Sequence, residues 1–248
     1  SVSALAPDGV NGTVFALARL PSGDIVAGGD FTTAGGAAAS RIARWDGASW
    51  SALGSGMNDT VLALTTMPNG DLVAGGVFTT AGGVAASRVA RWNGASWSPL
   101  GSGCSQTVRA LAVMPDGDLV AGGDFTGAGG VTVNHVARWN GVAWSALGSG
   151  TSPNVRCLLV TTNGDLLAGG AFTTAGGAPA LPLGSGCSGN VNTLTGLPNG
   201  DVVAGGSFAT AGGISAQRIA RWDGSSWSAL GTGMNRTASA RTPLSNGD

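Results

Sequence analysis

Residues 60–106 read TVLALTTMPNGDLVAGGVFTTAGGVAASRVARWNGASWSPLGSGCSQ. Turn signals divide this stretch into four short apolar runs. VLALTTM stops at Pro68-Asn69-Gly70, DLVAGGVF opens into the longer TTAGGVAA, SRVARW stops at Asn93-Gly94, and SWSPL stops at Gly101-Ser102-Gly103. Asn-Gly between apolar runs marks a tight hairpin, because both residues tolerate positive φ. The stretch therefore predicts a four-stranded antiparallel meander, with strands a to d in chain order. It recurs: Gly-Gly pairs fall at Gly28–Gly29, Gly75–Gly76, Gly122–Gly123, Gly169–Gly170 and Gly205–Gly206, at spacings of 47, 47, 47 and 36.

Strand a is apolar at nearly every position. Simple alternation places Val61 and Ala63 on one face and Leu62 and Leu64 on the other, so both faces are covered. On strand b, Leu72, Ala74, Gly76 and Phe78 share a face, and the glycines predict a bulge or the close approach of a neighbour. Strand c carries Arg88 and Arg91 and reads as more exposed. A sheet grading from buried to wet in chain order fits a propeller blade, with strand a at the central channel and strand d at the rim. One meander cannot bury its own faces, so its copies must stack. A parallel β-helix ranks lower, since its coils are about half this length and lack repeated two-residue hairpins.

Composition agrees. Of 248 residues, 45 are Gly and only 10% are charged, against about 25% in an ordinary domain. The chain has no Lys, Glu or Tyr; its acids are all Asp and its bases all Arg. Asp disfavours helix interiors, so helical bundles, coiled coils and α/β cofactor folds are excluded. No apolar run is long enough for a membrane-spanning helix. A net charge of -1 offers nucleic acid no basic face.

The expectation is a single all-β domain over residues 1–248, a β-propeller of about five blades. The repeats run approximately 14–60, 61–107, 108–154, 155–190 and 191–237, with 238–248 as the degraded start of a sixth. The fourth lacks 11 residues, matching strand c and both of its Trp, which predicts a truncated blade. Ser1 to Leu5 resembles a strand d, and the terminal pieces are expected to close the ring or fray. An incomplete six-blade ring, or a segment of a longer polypeptide, stays open.

The Gly-Gly pair closing strand b, followed by Trp92 and Trp97 on strands c and d, resembles kelch repeats, although kelch units usually carry Tyr at the first aromatic place. The stretches ALTTMPNGDLVAGGVFTTAGG and RWNGASWSPLGSG are similar to bacterial delta-60-like tandem repeats of secreted or surface propellers. The resemblance implies a propeller exported from a bacterial cell and implies no reaction, because one fold hosts many functions.

The candidate chemistry is sparse. Asp24, Asp71, Asp118, Asp165 and Asp201 recur once per unit and read as turn residues bonding their own backbone. Asp116-Gly117-Asp118 lacks the further oxygen ligands that calcium needs, so no metal and no cofactor is expected. The eight Trp (Trp45, Trp50, Trp92, Trp97, Trp139, Trp144, Trp222 and Trp227) read as packing anchors with the indole N–H bonded to backbone. Arg44, Arg91, Arg138 and Arg221, each before a Trp, are expected to stack on a neighbouring ring. His135, the only His, has no acidic or Cys neighbour in its motif. Cys104, Cys157 and Cys187 are apolar replacements, not a disulfide framework. Asn11, Asn58 and Asn235 match glycosylation acceptors but are explained equally by turn chemistry.

Loops b–c and d–a meet on one face of the disc, and the d–a loops differ most between units. Binding residues concentrate in such loops, so the candidate ligand contacts are Asp59, Gln106, Asn154, Asn190 and Arg236, with no catalytic residue. The functional expectation is a non-enzymatic extracellular binding or structural module, secreted or at the cell surface, whose partner is a protein or a glycan at this face. The alternative is a multivalent lectin-like propeller. An enzyme comes third, because it needs a polar cluster in the channel that breaks the repeat, and none is apparent in the sequence.

Overall fold

The computed structural model describes residues 9–175, 178–179 and 183–238. The predicted strand d at Ser1 to Leu5 and the sixth strand a beyond Ala238 lie outside the described residues. There is no helix among those residues; every regular element is a strand. Four antiparallel four-stranded sheets form, from the first unit (Thr13–Arg19, Ile25–Asp30, Ile42–Trp45, Trp50–Ala52), the second (Val61–Thr66, Leu72–Gly76, Val89–Trp92, Trp97–Pro99), the third (Val108–Val113, Leu119–Gly123, Val136–Trp139, Trp144–Ala146) and the fifth (Val191–Gly196, Val202–Gly206, Ile219–Trp222, Trp227–Ala229). Strand a pairs b, b pairs c and c pairs d in each. The fourth unit contributes a two-stranded sheet, Val155–Val160 with Leu166–Gly170. The inner strands adjoin in chain order, first unit to fifth. This is a β-propeller with four blades of four strands, and the shorter sheet sits between the third and fourth of them in the chain.

The Gly-Gly pair sets how the blades lean together. A Cβ placed on Gly28 would lie 2.6 Å from Val61 Cγ1, and Gly75 and Gly122 stand in the same relation to Val108 and Val155. Each blade thus offers a gap in strand b that admits the first valine of the next strand a, and Val61, Val108 and Val155 are wholly buried. In the last unit Gly205 faces Ala238 instead, at 2.9 Å. The second glycine serves a bulge: a Cβ on Gly76 would lie 2.1 Å from the Thr60 carbonyl oxygen.

That bulge corrects the alternation expected of strand a. The ladder pairs Val61 with Gly76 and Ala63 with Gly75, leaving Leu62 without a partner. One extra residue resets the faces, so Val61 and Leu64 pack together on Gly28. The same bulge recurs in the first, third, fourth and fifth units. The burial gradient also differs from expectation. Strand b is the driest, with Leu72–Gly76 buried throughout, because it has a strand on either side and a blade on either face. Strand a is buried over its first half and half-buried over its second.

The rim follows from side-chain chemistry. In each complete unit the two Trp face each other across the c–d pair, with ring centroids 5.4–5.5 Å apart. None of the eight is exposed. Trp97 Nε1 donates to the Leu53 carbonyl of the preceding unit at 2.9 Å, and Trp144 and Trp227 repeat this with Leu100 and Leu183. The indoles are packing anchors, as expected. The arginines before them are not held mainly by rings. Arg44 pairs with Asp24, Arg91 with Asp71, Arg138 with Asp116 and Asp118, and Arg221 with Asp201. In the four complete units the Asp just before strand b therefore holds strand c by an ion pair, a role beyond that of a turn residue.

Candidate functional site

The b–c loop is itself a small hairpin. In the second unit Thr80–Ala81 pairs Val84–Ala85 around Gly82 and Gly83, which have φ of 59° and 82°. The d–a loop crosses beside it, with Met57 bridging to Ala81. Asn58 Oδ1 accepts from the Thr79 and Thr80 amides at 2.9 Å, while its Nδ2 donates to Thr79 Oγ1. Asn11 does the same with Thr32 and Thr33. The side-chain amide of each is thus already engaged by the b–c hairpin, in keeping with the turn reading of these asparagines. Ser105 and Ser188 receive the corresponding amides through Oγ. Much of the apparent variety of the d–a loops is thus interchangeable capping chemistry.

The five predicted contacts do not form one group. Asp59, Gln106 and Arg236 are exposed on separate units. Asp59 accepts from the amide and hydroxyl of its own neighbour Thr60. Asn190 is half-buried, and its carbonyl receives the Ser207 amide at 2.9 Å. Asn154 differs, because its Nδ2 reaches across to Asp124 Oδ1 of the third unit at 3.0 Å.

Asn154 belongs to a polar cluster on the inner strands. Arg109 grips Asp124 with two bonds, Nε to Oδ1 at 2.8 Å and a terminal nitrogen to Oδ2 at 2.6 Å. Partial burial raises the Asp124 pKa, but the Arg109 guanidinium and the Asn154 amide outweigh it and hold the carboxyl below its ordinary value, with His135 contributing. In the next blade Arg156 donates to Asn192 Oδ1 at 3.1 Å, and Asn192 Nδ2 donates to the Ala238 carbonyl at 3.4 Å. Arg109 and Arg156, with Leu111 and Leu158, line a space of about 50 Å³ between the inner strands. That is room for about one or two waters, so a ligand would meet these groups at the channel mouth and not pass between the strands.

Arg109, Arg156 and Asn192 are the bulge residues of strand a in the third, fourth and fifth units; the first two units carry Phe15 and Leu62 there. A bulge residue has no ladder partner, and its side chain is re-aimed. The cluster that breaks the repeat therefore exists, contrary to the sequence expectation. Its signal in the sequence is a column reading Phe15, Leu62, Arg109, Arg156, Asn192, which lies inside a strand and not in the divergent loops. Electrostatically the two arginines are not equivalent. Arg109 is neutralised by Asp124, whereas Arg156 meets no carboxylate among the described residues. Arg156 Nε and Asn154 Oδ1 are buried without a hydrogen-bond partner. Such groups are costly unless something satisfies them. Among the described residues no cluster of His, Cys and Asp is arranged to hold a metal ion. The three cysteines form no disulfide, and no helix is long and apolar enough to cross a membrane.

Comparison with known proteins agrees with the architecture. No curated protein matches the chain. Solved structures do, 233 chains in all. One is the extracellular domain of a B. thetaiotaomicron protein described as a hybrid two component system; it is 11% identical, with a TM-score of 0.54, over 84% of this chain and 27% of that one. The chain thus spans about a quarter of the length of that extracellular domain, and at this identity the likeness is one of fold. Residues 20–45 and 115–141, each running from the end of strand a to strand c, match a β-propeller domain family of unknown function, DUF5122.

Proposed function

We propose that the chain is a non-enzymatic binding module displayed outside the cell, with its ligand site at the channel mouth on the b–c and d–a loop face. The two-stranded sheet of the fourth unit counts here as a truncated blade, which brings the total to five, since Val155 and Val191 occupy the same valine position as in the other units. The carrying observation is the cluster of Arg109, Asp124, Asn154 and Arg156, built on bulges where the first two units are apolar. Arg156 brings a positive charge with no acid beside it, and Asn154 Oδ1 adds an unmet acceptor. A small acidic group bearing a neighbouring hydroxyl or amide N–H matches that pair, whether carried by a peptide or by a sugar. The extracellular neighbour in fold supports display outside the cell. The lectin reading loses its stacking platform, because the indoles are packed between blades.

The test is an NMR titration of the whole chain with acetate and with inorganic phosphate, repeated on Arg156→Leu, which installs the residue found at Leu62. Shifts should concentrate on residues 107–110 and 154–157 and vanish in the variant. Equal shifts in both proteins would remove the site, and blank glycan arrays would confine it to non-sugar ligands.

A further inference from the structure

Strand c is the outer neighbour of strand b in every complete unit. In the second unit Leu72 pairs Trp92, Val73 pairs Arg91, Ala74 pairs Ala90 and Gly75 pairs Val89. In the fourth unit Leu166–Gly170 has strand a on one side and, among the described residues, nothing on the other. Solvent exposure follows from this. The central alanines Ala27, Ala74, Ala121 and Ala204 are 0–1% exposed, while Ala168 in the same place is exposed. The amides of Gly29, Gly76, Gly123 and Gly206 each donate to the carbonyl of the residue before strand c; Gly170 has no counterpart bond among the described residues.

A second observation is electrostatic and independent of the first. Asp24, Asp71, Asp118 and Asp201 each hold the arginine of their own strand c. Asp165 is the fifth member of that series, and it has no cationic partner among the described residues; its carboxylate accepts only from Asn163, at 2.7 Å.

We propose that the outer edge of Leu166–Gly170 is a docking edge for an extended segment of a partner protein, which completes the fourth blade by strand addition. An unpaired edge supplies backbone donors and acceptors to an incoming strand, and side-chain positions supply selectivity. The other blades specify the occupant. It runs antiparallel, with a branched aliphatic opposite Gly169, a small residue opposite Ala168, an arginine opposite Leu167 and an aromatic opposite Leu166. The arginine is the selective element, because it answers Asp165. This surface lies at the rim, away from the channel mouth, and the proposal does not depend on a ligand there.

The probe is a capped peptide, Ser-Arg-Val-Ala-Arg-Trp-Asn-Gly, the sequence of residues 87–94, carrying a fluorophore and added to the whole chain. Expected are saturable one-to-one binding by anisotropy and slowed amide exchange confined to residues 166–170. Replacing the second peptide arginine by alanine, or Asp165→Asn in the protein, should each weaken binding by about threefold to tenfold. Because Asp165 is exposed, its variant leaves the fold intact. Three outcomes overturn the proposal: amides 166–170 already slow before peptide is added, which would mean the chain fills its own edge; no peptide-dependent slowing there; or binding indifferent to both arginine and Asp165.

Discussion

Two adjacent glycines with the same neighbours in sequence do different physical work. Gly75 yields to a side chain: its added methyl would meet Val108 Cγ1 at 2.6 Å, and a valine can turn or be trimmed. Gly76 yields to backbone: its methyl would meet the Thr60 carbonyl oxygen at 2.1 Å, and the bulge itself would have to open. Gly75→Ala should therefore cost about 1–3 kcal/mol, in the range of overpacking, and Val108→Ala should recover part of it in a double-mutant cycle. Gly76→Ala should cost about 3 kcal/mol or more, with no recovery from the same partner. Urea unfolding of the single and double variants measures both. The repeat made the glycines conspicuous, and the close approach could be expected from them. Which of the pair meets the neighbour, and which the bulge, could not, because the bulge shifts the register by one residue and period-two reasoning has no term for it.

Within one blade, strands differ in what holds them. Strand d is only three residues long and has one ladder, so its indole carries it. Trp97 is 5% exposed and its N–H is bonded to Leu53 of the preceding unit. Trp97→Ala should destabilise by about 3–5 kcal/mol, and Trp97→Phe by less, since the ring volume mostly remains while the Leu53 carbonyl loses its donor. The fourth unit has no such anchor. Its strand b has one ladder in place of two among the described residues, so amides 166–170 should exchange faster than 72–76 or 119–123 in native-state hydrogen exchange. Equal protection would show that something pairs that edge. These elements were readable from sequence because hairpin turns and Trp spacing are local and repeat five times over with one gap. The channel cluster was harder to read. Arg109 and Asp124 are 15 residues apart, and Asn154 joins them only once the next blade is stacked in place. Loop divergence marks Asn154 but not its partners, because the bulge that re-aims Arg109 lies inside an apolar strand.

The whole molecule shares one electrostatic rule: with neither Glu nor Lys, every side-chain carboxylate is an Asp and every ion pair among the described residues is Asp to Arg. This fixes how stability should depend on pH. Asp124 is held below 3.8 chiefly because Arg109 outweighs its burial, and Asp46 and Asp223 are lowered by backbone amides donated in the c–d turns, from Ser49 and Ser226 respectively. A carboxyl whose folded pKa is depressed contributes stability above its unfolded value and loses it as pH falls through the folded one. Thermal stability should therefore decline below about pH 4. The alkaline side is set by different groups. Burial pushes the Cys104 thiol from 9.0 up to about 12 and Cys187 to about 11. A thiol held neutral in the fold ionises first in the unfolded chain, so its contribution is complete below pH 9 and is lost as pH rises above it. Cys104 bridges the d–a loop to Ala128 of the b–c hairpin, so this penalty falls on the loop face. Melting temperature measured from pH 2 to pH 11 should show both limbs. Cys104→Ala, by removing a titrating group, should flatten the alkaline limb and leave the acid limb in place, and Asp124→Asn should do the reverse. An alkaline limb unchanged in the Cys104 variant would mean that the thiol meets water in the native fold, contrary to its 2% exposure.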